Sequence, residues 1–131
     1  STLNIEIIKT KFLAKINYDG KTFIIGSNGR LIDKKYTNNF LPYIFGSQEP
    51  QEFLKFKNKV DESKFSYEQV NNFYFYPSKR WDLELKNGIL IKLSNLNTIN
   101  SLNKSFEFLK DENFRDIKII DARIKNQIII K

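Results

Sequence analysis

Neither histidine nor cysteine occurs among the 131 residues. Their absence removes the commonest general base at neutral pH, zinc sites, and the Ser-His and Cys-His nucleophile arrangements. It also excludes disulfides, which leaves the compartment open. Methionine is missing too, so the chain does not begin at its own start codon and is read as a fragment or processed product of a longer one. No apolar run approaches the ~18–20 residues that cross a bilayer. Neither Gly-x-Gly-x-x-Gly nor Gly-x-x-x-x-Gly-Lys-Ser/Thr is present, so no loop marks a phosphate cradle. Arginine is scarce: 18 of the 22 basic residues are Lys, leaving Arg30, Arg80, Arg115 and Arg123. Because Lys is spread along the chain, the net charge of +7 reads as a solvated cationic surface rather than a nucleic-acid groove. Such a surface favours an acidic partner or an anionic membrane nearby.

What is present fits one domain, with 40% apolar and 28% charged residues. Leu3–Ile7 alternates apolar and polar residues, which predicts a strand with one buried face. Leu13–Tyr18, the Asp19-Gly20 turn and Thr22–Ile25 form a hairpin; Asn28-Gly29 turns again into Leu31-Ile32, giving a small antiparallel meander. Leu41–Gly46 is apolar but contains Pro42, which points to an edge segment or a packed connection. Pro50 sits where a helix can begin, and Phe53, Phe56 and Val60 recur at helical spacing. The opposite face carries Lys55, Lys57 and Lys59, the nearest approach to a basic cluster.

Val70–Tyr76 is aromatic-rich and strand-like. Trp81–Leu85, Asn87-Gly88 and Ile89–Leu93 spell a hairpin with a type I′ signal. Ile99, Leu102, Phe106 and Leu109 describe a second helical stripe, followed by extended runs at Ile117–Ala122 and Gln127–Ile130. Phe73, Tyr74, Phe75, Tyr76 and Trp81 could stack bases, but strand residues alternate sides, and Phe73 and Phe75 are more simply core. Asp82 and Glu84 share a strand face, as alternate polar residues do on any half-exposed strand, so no catalytic carboxylate pair is assigned.

The order of motifs resembles the FtsQ/DivIB family of bacterial cell-division proteins. Thr2–Ile7 with Leu13–Ile16 resembles the junction between that family's POTRA domain and its β domain, without the usual Glu-Arg and Pro at Lys9–Phe12. Ile25–Ile32 resembles its Gly-containing hairpin, and Leu41-Pro42-Tyr43-Ile44-Phe45-Gly46 its Leu-Pro-x-Leu-x-Gly segment. Arg80–Gly88 is similar to its Trp-x-Leu-x-Leu-x-Asn-Gly hairpin, and Ile120-Asp121-Ala122-Arg123 to its terminal Val-Asp-Leu-Arg.

The resemblance implies an α+β fold, a largely antiparallel or mixed β-sheet with two amphipathic helices packed on it. Residues 1–11 would close a POTRA domain and residues 12–131 would form the β domain. It implies a non-catalytic divisome scaffold with no cofactor, in a protein anchored in the inner membrane by one N-terminal helix absent here. This domain would lie in the periplasm, with FtsB and FtsL, and other septal proteins, as partners and no nucleic acid. By position in the family, the partner strand lies beside Ile124, Lys125, Asn126, Gln127, Ile128, Ile129 and Ile130. Lys79 or Arg80, and Arg123, match the positions of cations that meet acidic partner residues. Ile128-Ile129-Ile130 breaks the in/out alternation, so at least one Ile is expected to face outward. The runner-up function is a POTRA-type module of an outer-membrane assembly or secretion system, with a nucleic-acid-binding domain ranked after it.

Overall fold

The computed structural model describes residues 10–37, 39–47, 49–111 and 116–131; the expected strand Leu3–Ile7 lies outside them. Among the described residues the chain forms β1 (Phe12–Tyr18), β2 (Lys21–Gly26), β3 (Leu31–Asp33), β4 (Tyr43–Phe45), α1 (Pro50–Glu62), β5 (Val70–Phe75), β6 (Trp81–Leu85), β7 (Leu90–Leu93), α2 (Thr98–Leu109), β8 (Ile119–Ala122) and β9 (Ile129–Ile130). All the strands join one mixed sheet in the order β3-β2-β1-β4-β5-β6-β7-β8-β9. The expected α+β architecture is what forms.

Three of the tight turns that join antiparallel strands follow the Gly-containing signals of the sequence, and they differ in kind. Asp19 and Gly20 both have positive φ (54° and 80°), the two-residue type I′ turn that Asp-Gly predicts. Asn87 does not adopt positive φ; instead the Gly88 N–H donates to the Leu85 carbonyl at 2.9 Å, and the Leu85 N–H to the Ile89 carbonyl at 2.9 Å. This is a three-residue loop with Gly88 at the left-handed position, not the type I′ turn expected from Asn-Gly. The Asn87 side chain, which accepts from the Ile89 N–H, supports the alternative. Gly26–Arg30 repeats the pattern, with Gly29 at the left-handed position and Asn28 accepting from Arg30.

The Leu41–Gly46 segment is not at an edge. β4 is inserted at the middle of the sheet, parallel to β1 and to β5. Pro42 is compatible with this because it precedes the strand, where its missing N–H breaks no ladder bond, and its carbonyl accepts from Lys15 N–H at 2.8 Å. Gly46 leaves β4 at φ +87°, and a Cβ there would collide with the Phe75 carbonyl of β5.

One row of residues crosses the sheet in register: Ile16, Ile44, Phe73, Leu83, Ile91, Ile120 and Ile130. All but the last are buried in the core, with Phe53, Phe56 and Val60 of α1 and Leu102 of α2 packed on the same face. Fully burying side chains of this size is worth about 1.5–3 kcal/mol each. Trp81 adds aromatic contacts, stacked on Phe56 at 4.8 Å and edge-on to Phe53 at 6.1 Å. The neighbouring row, Phe45, Tyr74, Asp82, Lys92, Asp121 and Ile129, belongs to the opposite, helix-free face. The aromatic run divides accordingly: Phe73 is buried beside the helices, while Tyr74 stacks on Phe45 across the other face at 5.2 Å.

Candidate partner-binding edge

β9 is the last strand of the sheet and is only two residues long. Ile119 and Lys131 exchange backbone hydrogen bonds at 3.0 and 3.1 Å. In an antiparallel pair successive residues alternate sides, so Ile128 and Ile130 direct their N–H and C=O away from β8. Among the described residues nothing pairs with that outer side. Side chains alternate as well. Ile128 is half-buried against the core, Ile130 lies on the helix face at 40% exposure, and Ile129 stands on the open face beside Asp121 at 39%. The expected outward Ile is therefore Ile129.

The connection from β8 to β9 is held by α2. The Gln127 N–H donates to the Ile124 carbonyl at 3.1 Å, and Asn126 takes the left-handed conformation (φ 61°). Lys104 of α2 then donates its Nζ to the carbonyls of Ile124 and Gln127 at 2.9 and 3.0 Å. Burial draws its pKa below the ordinary lysine value. One turn earlier, the buried Ser101 hydroxyl donates to the Ala122 carbonyl at 2.9 Å. Three carbonyls between residues 122 and 127 are thus fixed by one helix. Sequence reasoning did not single out Lys104 or Ser101. The only signal is their spacing of three on the helix, and it is silent about which loop they reach. Ile124, 54% exposed, and the exposed Lys125 project from this loop.

The two arginines come together on the open face. Arg80 forks onto Asp82 through Nε and Nη2 at 3.1 and 3.2 Å and lies over the Tyr76 ring at 4.4 Å. Asp82 is fully buried, so this fork supplies the countercharge that its burial demands. Arg123 forks onto Asp121 in the same way, at 2.8 and 2.5 Å. That contact holds the Asp121 carboxyl below the usual carboxylate range. Asp82 and Asp121 flank Lys92 in one cross-sheet row. Continuing that register sets Arg80 and Arg123 at the same end of the face, two strands and so roughly 10 Å apart. Each guanidinium spends Nε and Nη2 on its own Asp, which leaves Nη1 to meet a further acceptor end-on rather than as a fork. Lys79 is turned elsewhere, into a cleft beside Trp81.

The family model described as cell division protein FtsQ/DivIB, C-terminal, matches residues 14–123. A cell division protein FtsQ of Bradyrhizobium diazoefficiens is 25% identical over 140 residues, which cover 98% of this chain. The match covers 39% of that relative's length. The major extracytoplasmic domain of the cell division protein DivIB from Geobacillus stearothermophilus superposes with a TM-score of 0.49 and 14% identity. That superposition covers 76% of this chain and 87% of the other. With 110 consecutive residues from β1 through Arg123 matched by one family model, the chain belongs to the FtsQ/DivIB C-terminal family of cell-division proteins.

Proposed function

We propose that this chain is a non-catalytic scaffold domain of the division machinery that binds FtsB- or FtsL-type partners by adding their strand to β9. It acts outside the inner membrane, in a protein anchored by a single N-terminal helix beyond the present chain. The observation that carries the reading is the outer side of β9, a row of backbone donors and acceptors that no described residue pairs. Such an edge is a template for strand addition. Exposed Ile129 and Ile130 add apolar surface, and Arg80 and Arg123 set two guanidinium groups at one end of the adjoining face. The lack of His and Cys is in keeping with a binding role.

The reading is tested by titrating a synthetic FtsB-derived segment into the domain and into Ile130→Pro. This substitution deletes an outward N–H while keeping the bonds of Ile119 and Lys131, and proline is tolerated at such edge positions. Leaving the partner's carbonyl unsatisfied should weaken binding by between about 5- and 150-fold. Arg123→Glu should chiefly slow association. Unchanged affinity in both folded variants would discard the edge as the binding site.

A further inference from the structure

A cleft of about 270 Å³ opens between α1, the β5–β6 turn and the start of α2. Phe56 and Trp81, stacked on one another, line it. Lys55 and Lys59 reach it from α1 and Lys79 from the turn, so the helical lysine cluster acquires a third member from twenty residues downstream. Lys57 is not part of it; it pairs with Asp61 at 2.7 Å and lies over the Tyr67 ring. Several other lysines have partners: Lys64 and Lys110 on Glu107, Lys104 on two carbonyls. Among the described residues the ammonium groups of Lys55, Lys59 and Lys79 have none. Glu52 also lines the cleft, so three cations stand against one carboxylate.

This convergence works against the fold in two ways. Like charges four apart on a helix, as Lys55 and Lys59 are, repel each other. Lys79 also occupies a left-handed conformation (φ 67°) that any residue with a Cβ adopts unwillingly. Its hairpin has the same bonding as two others: the Lys79 N–H donates to the Tyr76 carbonyl and the Tyr76 N–H to that of Arg80. At the equivalent position those two hairpins carry Gly29 and Gly88. A lysine where its sisters have glycine is a local strain retained beside a cavity, the pattern of a functional position. Thr98 in the first turn of α2 also lines the cleft, and the Asn97 side chain makes no cap there, so the helix adds potential of the same sign.

We propose that this cleft binds a phosphoryl group, held by Lys55, Lys59 and Lys79. Its volume equals that of roughly nine water molecules at ~30 Å³ each, room for one such group and its hydration rather than for a folded segment. The lining contains no arginine, so nothing selects a planar carboxylate by a two-pronged fork; lysines act as point charges that suit phosphoryl oxygens. The site is independent of β9, since Lys55 and Lys59 lie on α1 and no residue of the edge lines it.

Trp81, the single tryptophan of the chain, lines the cleft and reports on it by fluorescence. The domain is titrated with inorganic phosphate at constant ionic strength, with sodium chloride as the matched control. A saturable change in Trp81 emission with phosphate and none with chloride is expected. The response should weaken by at least about tenfold in Lys79→Gly and in the double variant Lys55→Gln/Lys59→Gln, because bonds to a charged group are lost. Lys79→Gly also relieves the left-handed backbone, so a loss of binding there accompanies equal or higher stability and cannot be ascribed to unfolding. Vesicles of phosphatidylglycerol, with phosphatidylcholine as control, separate the sources. Binding that phosphate competes away identifies a lipid headgroup, whereas phosphate binding without vesicle binding identifies a soluble phosphoryl ligand. An equal response to chloride, or full binding in both sets of variants, overturns the proposal.

Discussion

Gly46 shows how one residue fixes the middle of the sheet. It combines φ +87° with a backbone oxygen of β5 where a Cβ would have to go, whereas Gly88, at φ +92°, has open space around it. The two positions therefore separate the cost of the dihedral angle from the cost of the collision. Gly88→Ala should destabilise the domain by about 1–2 kcal/mol, the cost of a left-handed side-chain-bearing residue. Gly46→Ala should lose more, about 3 kcal/mol or above, since β4 must also move off β5. Urea denaturation of the two variants checks the difference, and equal losses would mean that the β4–β5 contact adjusts freely. The Leu-Pro-x-x-x-Gly spacing is visible in the sequence, but the reason for the glycine is not, because the Phe75 carbonyl it avoids is 29 residues away in the chain.

At the scale of elements, local signals and long-range ones separate cleanly. The hairpins β1–β2 and β6–β7 and both helices follow from alternation, Asp-Gly or Asn-Gly turns and helical stripes, all of which act over a few residues. The central position of β4 does not, because its two parallel pairings join segments far apart in sequence and its three residues give too short a pattern to rank. The candidate site divides in the same manner. Arg80, Arg123 and the final isoleucines were legible from motif order, whereas the hold of α2 on the β8–β9 connection was not. A two-residue strand has little pairing to keep it in place, so that hold should decide whether the edge is presented. Lys104→Met keeps the length of the side chain and removes both bonds to the loop. It should speed amide exchange at Gln127 and Lys131 by about tenfold or more, with no comparable change in β6 or β7. It should also weaken a partner that needs β9 ordered, through the ordering cost restored to the binding step. Unchanged exchange at those amides would reduce Lys104 to a bystander whatever the partner proves to be.

For the whole molecule, the missing histidine sets how stability responds to pH. No side chain has an ordinary pKa between about 5 and 8, so nothing should titrate there on unfolding. At the acid end, Asp121 is held down first by its hydrogen bond from Arg123, and Asp33 first by the Lys35 backbone N–H. Their folded values lie below the unfolded ones, so these contacts contribute above about pH 4 and fade as the pH falls further. At the alkaline end, burial pushes Tyr67 above its ordinary value while its hydroxyl donates to the Leu13 carbonyl at 2.6 Å. Here the unfolded chain loses its proton first, so stability is retained below about pH 10 and declines above it. The denaturation midpoint should therefore form a plateau from about pH 5 to 8, with both limbs outside it. Asp121→Asn should flatten part of the acid limb, and Tyr67→Phe part of the alkaline one at the cost of the hydrogen bond to the Leu13 carbonyl. A midpoint that shifts by an amount equivalent to more than about 1 kcal/mol inside the plateau would show that a carboxylate or lysine titrates far from its ordinary range.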